Sequence, residues 1–200
     1  MPVRRRQAAD QHVAALAVQL FDETVPIHGL GPAERDLLEF GALLHDIGEH
    51  ISRQDHDRHS AYLIEHGGLR GFSPQEVRIL TTMGRYHVRG TPKPTFEPFA
   101  QLKRRDRARA VALTAILRLA EGLDASHRGL VQAVRAEPVG PDRRLTFVLT
   151  VRAEPELELW TVRRKQVLLE RTLGVECAFR VEPGARPTPD AARDEGARPG

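Results

Sequence analysis

The spacing of apolar and polar positions divides the chain into a long helical stretch and a shorter mixed one. Between residues 6 and 22, Val13, Leu16, Ala17, Leu20 and Phe21 recur every three or four positions, the rhythm of one helical face. Pro26, Gly29 and Gly31 interrupt that rhythm, and Pro32 suits the first position of a second helix. Leu37, Phe40, Leu44 and Ile47 form its inward stripe and Gly48 its end. Asp55 or Asp57 can cap a third helix, with Tyr62 and Leu63 as its apolar positions, running to about Glu65 before Gly67 and Gly68. Ser73-Pro74-Gln75-Glu76 has the form of a capping box with proline in the first turn. The helix it opens carries Val77, Leu80, Thr81, Gly84 and His87 on one face. Residues 91 to 106 read as a loop, and Asp106 can cap a further helix over 107 to 123.

The pattern then changes. Residues 130 to 137 and 145 to 152 alternate like strands, with Pro138, Gly140, Pro141 and Asp142 as the turn between them. A helix follows over 156 to 173 and a third strand over 175 to 181. The expected fold is mainly α over 1–128, followed by a small α/β (ββαβ) subdomain over 129–182. The Pro-, Ala-, Gly- and Arg-rich tail, 183–200, has the composition of a disordered segment.

Composition narrows the class. With 40% hydrophobic and 28% charged residues the chain is globular, and no run of apolar residues is long enough to span a membrane. The start, Met1-Pro2-Val3-Arg4-Arg5-Arg6, lacks the apolar core of a secretory signal. Cys177 is the sole cysteine, which excludes an internal disulfide or a thiolate cage and suits a cytoplasmic protein. The net charge of +3 comes from a basic set that is almost all arginine, so it gives no ground for sequence-specific nucleic-acid binding. Any metal must be held by histidine and carboxylate.

Those residue types recur at one kind of position. His12, the pair His45-Asp46, His59, His87 and Asp124 each fall on an inward or rim position of successive predicted helices. A buried carboxylate such as Asp124 is costly unless it meets a cation. His56 and His66 read instead as solvated or helix-end histidines. Glu49 lies one turn beyond His45. Arg85, Lys103, Arg104 and Arg105 are basic residues suited to phosphate, although a run of charges also reads as a solvated face.

This array resembles the HD superfamily of metal-dependent phosphohydrolases, whose fold is a helical bundle. Residues 42–52 (Ala-Leu-Leu-His-Asp-Ile-Gly-Glu-His-Ile-Ser), 57–64, 69–72 and 85–87 also resemble the C-terminal part of the Ppx/GppA exopolyphosphatases and guanosine pentaphosphate phosphohydrolases, over about residues 6 to 182. The resemblance implies that His12, His45, Asp46 and Asp124 hold one ion. Asp46 would bridge to a second ion held by His59 and His87, with Glu49 orienting water or moving a proton. The implied cofactor is one or two divalent transition ions (Mn, Fe, Co, Ni or Zn) activating water on a small phosphorylated substrate or polyphosphate. In that family the phosphatase reaction belongs to N-terminal actin-like domains, which this sequence does not contain. Every HD ligand position is nevertheless filled, so the expectation is a phosphohydrolase whose HD site itself works. The alternative is a non-catalytic polyphosphate- or nucleotide-binding module. A homodimer is compatible with either.

Overall fold

A computed structural model describes residues 3–184. The helical stretch begins with α1, Val3–His28, which runs through Pro26 where the sequence suggested a break. Pro26 deprives only the Asp22 carbonyl of its helical donor. The last turn is then secured by His28, whose Nε2–H donates to the Phe21 carbonyl at 3.1 Å while Nδ1 accepts from the Leu30 N–H at 2.9 Å. Gly29, at φ 62°, ends the helix.

The second helix, α2, spans Pro32–Leu44, and Glu34 reaches back to the Gly31 N–H at 2.9 Å. It stops four residues before Gly48, which lies instead in a short 3₁₀ turn, Ile47–His50. The third helix, α3, covers His56–His66, and α4 covers Pro74–Tyr86. The capping box at the start of α4 forms as expected: Ser73 Oγ accepts from Glu76 N–H at 3.3 Å, and Glu76 accepts from Ser73 N–H at 2.7 Å. The stretch expected as loop holds one turn, α5, Glu97–Ala100. The central helix, α6, runs Arg104–Leu123, beginning before Asp106; that carboxylate binds Arg109 at 2.9 Å and caps nothing.

The mixed stretch is a three-stranded sheet in the order β1-β2-β3, with β1 at Val131–Ala136, β2 at Arg144–Val151 and β3 at Glu176–Pro183. The first pair is antiparallel and the second parallel, which requires a crossover between β2 and β3. That crossover is two helices, α7 (Glu156–Lys165) and α8 (Val167–Leu173), broken at Gln166 where a single helix was expected. The ββαβ order is as read from the sequence. The third strand extends to Pro183, Gly184 N–H donates to the Val151 carbonyl at 2.7 Å, and residues 185–200 of the expected tail lie outside the described residues. Both α7 and α8 pack on α6, and β1 packs on α1. One hydrophobic core therefore runs from Leu16, Leu20 and Phe21 through Leu113 and Ile116 to Phe147 and Leu149. No helix among the described residues is long and apolar enough to cross a membrane.

The capping box is exposed and remote from the polar residues of the interior. Ser73→Ala is expected to lower the unfolding free energy by about 1 kcal/mol in a denaturant titration, with no change in the metal uptake considered below.

Candidate metal centre

Three helix boundaries bring the ionisable residues together. His45 is the residue that closes α2, and Asp46 follows it at φ −103°, ψ 10° as the chain turns into the 3₁₀ segment. His87 closes α4 in the same way and is fully buried. His56 opens α3. Gly48 makes the meeting possible. Its N–H donates to Ser60 Oγ at 2.9 Å, and a Cβ there would stand 2.2 Å from the His56 carbonyl and 2.3 Å from the Ser60 nitrogen. Backbone thus lies directly on backbone, and only glycine permits that approach.

The result is a triangle of donor atoms. Asp46 Oδ1 lies 3.1 Å from His87 Nε2 and 3.4 Å from His56 Nε2, and the two histidine nitrogens lie 3.1 Å apart. Asp46 Oδ1 is buried and receives no well-aligned hydrogen bond. The other carboxylate oxygen, Oδ2, is 3.6 Å from His45 Nε2. Among the described residues, two sets of ligand atoms converge closely enough for an ion: Asp46, His56 and His87, and Asp10, His45 and Asp46. Asp46 belongs to both.

Each ring is fixed by its other nitrogen. Nδ1–H donates to the carbonyl three residues earlier: His45 to Ala42 at 2.6 Å, His56 to Arg53 at 3.1 Å and His87 to Gly84 at 2.8 Å. A carbonyl only accepts, so Nδ1 carries the proton and Nε2 of the neutral ring presents a lone pair. Two lone pairs and a carboxylate oxygen facing one another at 3.1–3.4 Å repel unless a cation or proton stands among them. Ligands about 2.0–2.1 Å from an ion lie about 2.9–3.4 Å apart, from octahedral to tetrahedral geometry. The observed edges fall within that range, so the residues fit a transition ion.

The electrostatics agree. Burial pushes the Asp46 carboxyl up, but the positive charge that His45, His87 and His56 carry when protonated, together with the His87 contact, holds it well below the usual carboxylate range. Burial pushes His87 down, yet contact with Asp46 and the charge of Glu121 hold it above its ordinary value. Glu121 was not singled out in the sequence. It lies on α6, with Lys165 Nζ of α7 2.5 Å away, and it is kept ionised against burial by Lys165, His87 and His45. The available signal was one carboxylate inside the otherwise buried run Leu117 to Leu123.

Of the expected ligands, His45, Asp46 and His87 meet. His12 and Asp124 lie together elsewhere. Asp124 is 1% exposed and accepts the Gly129 N–H at 2.9 Å, and a Cβ on Gly129 would be 3.7 Å from the buried, unpartnered His12 Nε2. Asp10, two residues earlier on α1, reaches the cluster instead. It was legible as a carboxylate in line with Ala14, Ala17 and Phe21.

The third helix turns the opposite way from expectation. Its buried face is Asp57, Ser60, Ala61 and Ile64, while Tyr62 is 59% exposed. This brings His56 to Asp46 and leaves His59 half-buried outside the converging sets. Glu49 is half-buried in the 3₁₀ turn, 3.9 Å from Arg53. Arg85 is engaged by Asp57 and lies over the Tyr86 ring. Lys103, Arg104 and Arg105 are exposed at the start of α6, about 25 Å along its axis from Glu121, and do not line the cluster.

Residues 3–166 match the family model for Ppx/GppA phosphatase, domain III.

Two outcomes are expected from this geometry. Gly48→Ala must push α3 away from the turn, costing about 1–3 kcal/mol in chemical denaturation and weakening metal uptake through displacement of His56. The raised His87 value stabilises the folded chain fully below its unfolded value of 6.5, and this contribution is lost as pH rises through the folded value. Thermal melts in chelator should therefore fall in midpoint above neutral pH. A saturating divalent ion should remove that decline, because it replaces the proton.

Proposed function

The chain belongs to the Ppx/GppA phosphatase domain III family, whose members are metal-dependent phosphatases, and on that premise we propose that this domain is itself a phosphohydrolase with an HD-type metal centre. The observation that carries the reading is the triangle of Asp46 Oδ1, His56 Nε2 and His87 Nε2, with every ring anchored through Nδ1. These three atoms would hold one ion. Asp10, His45 and Asp46 Oδ2 would hold a neighbour, Asp46 being common to both sets. The HD resemblance included His12, His59 and Asp124 as ligands; the reading gives the place of His12 to Asp10 and that of His59 to His56, and leaves Asp124 out.

When bound, a divalent ion supplies Lewis acidity toward a phosphoryl oxygen and lowers the pKa of water toward about 7. The chain's own residues do the rest. The carbonyls of Ala42, Arg53 and Gly84 keep the three rings in one tautomer and orientation. Asp46 stays ionised, so both of its oxygens remain donors at any physiological pH. Glu49, half-buried on the turn beyond Asp46, is suited to receive a proton at its carboxylate. Cys177, the one thiol, is buried and pushed up to about 12 by burial, with the charges of Glu170 and Glu176 adding to it, so it takes no part as a nucleophile. Imidazole-rich ligation favours Mn, Fe, Co, Ni or Zn over Ca. The substrate class is a nucleotide, (p)ppGpp or a polyphosphate-like chain.

A binding module without turnover is the second reading. The exposed Lys103, Arg104 and Arg105 favour it, because a basic run so far from the cluster suits an anion that is held and not cleaved.

Elemental analysis and phosphate release separate the two. The protein is expected to take up a transition ion and to release phosphate from at least one of nucleotides, (p)ppGpp, polyphosphate or bis-p-nitrophenyl phosphate, with loss of activity in chelator. Asp46→Ala, His56→Ala and His87→Ala should each cut metal affinity by more than the about 10–100-fold that removal of an outer partner costs. His59→Ala should leave metal content unchanged. A protein that takes up none of Mn, Fe, Co, Ni or Zn overturns the enzyme reading.

A further inference from the structure

Arg118 is a charged residue in the middle of α6, only 9% exposed, and its setting does not account for it. A guanidinium offers five N–H donors and needs acceptors or a counter-charge when it leaves water. Here one donor is used: Nη1 donates to the Gly90 carbonyl. The Nε–H is buried and has no partner. Among the described residues no carboxylate forms an ion pair with it. The nearest acid on its own helix, Glu121, is taken up by Lys165. Desolvation correspondingly pulls the Arg118 guanidinium below its ordinary value, with Glu121 opposing. A cation in this condition attracts an anion.

Its position says which anion. Gly90, whose carbonyl Arg118 holds, comes three residues after His87. Arg118 and Glu121 are three residues apart on one face of α6, with about 5–6 Å between their Cβ atoms. Glu121 in turn acts on both His87 and His45. Arg118 therefore lies one helical turn from Glu121, and its guanidinium is held on the loop that leaves His87. Arg85, Lys103, Arg104 and Arg105, the cations the sequence nominates for phosphate, are respectively bound to Asp57 and remote.

We propose that Arg118 is the phosphate-binding residue of this site: its unpaired N–H donors, beside the His87 turn, receive the oxygens of the phosphoryl group presented to the Asp46 cluster. This rests on the metal-centre reading for its substrate but not for its anion affinity. Planar guanidinium is the side chain that matches two phosphate oxygens with two parallel donors. Arg118 also secures the Gly90 turn, so the test must separate the two tasks.

Inorganic phosphate is titrated calorimetrically into the full chain, with and without Mn²⁺, alongside metal content and melting temperature. Arg118→Gln is expected to keep its metal and to weaken phosphate binding at least about tenfold, since a hydrogen bond to a charged group is lost. Arg118→Lys, which keeps the charge and protects the fold should the glutamine variant not fold, is expected to bind phosphate with intermediate affinity. Phosphate affinity unchanged in both variants would show that Arg118 only pins the turn and would overturn the proposal, as would a wild-type chain with no measurable phosphate affinity. Arg118-dependent phosphate binding in a chain that takes up no metal would support the anion site while overturning the metal centre.

Discussion

Asp46 is a carboxylate that cannot escape its neighbours. Two imidazole nitrogens face one of its oxygens at 3.1 and 3.4 Å, and a third faces the other at 3.6 Å. None of the three rings is free to rotate away, because each is tied through Nδ1 to a carbonyl of its own turn. Packing alone would not assemble so much like-signed electron density. The surrounding structure imposes it through parts that tolerate little change, notably the backbone contact of Gly48 with α3 and the buried ends of α2 and α4.

That constraint explains why the small subdomain belongs to the site as well as to the fold. Its helix α7 packs along α6, and Lys165 crosses between them to Glu121. Without Lys165, Glu121 would be a half-buried carboxylate with no cation fixed beside it, and desolvation would favour its neutral form. Held ionised, it adds negative charge on the side of His87 and His45. The helical body supplies the ligands, and the α/β layer helps to fix their charge.

Much of this could be read along the chain, and the reason differs residue by residue. His87 and Asp46 were legible because a polar side chain at the inward end of a strongly periodic helix has no apolar reason to be there. The start of α4 was legible because a capping box is a purely local device. The inward face of α3 was not. Tyr62 and Leu63 look like its core, but the buried residues are Asp57, Ser60, Ala61 and Ile64. The small size of Ser60 and Ala61 lets α3 lie against Gly48 and Gly84, a close approach that has no signature in hydrophobicity. The convergence of His56, rather than His59, on Asp46 follows from that rotation, and on α1 it is Asp10, two residues before His12, that converges with His45 and Asp46. Pro26 was misjudged because the hydrogen bonds of His28 lie beyond it.

The two histidines that close helices share one further property. His45 and His87 sit at the carboxyl ends of α2 and α4, so two helix axes point their negative poles at the same small volume. Each pole favours a cation by about 0.3–1 kcal/mol in an ordinary setting. The same field opposes any anion that approaches. The backbone itself thus selects for positive occupants, and a phosphorylated molecule can settle there only in the company of cations that outweigh both poles.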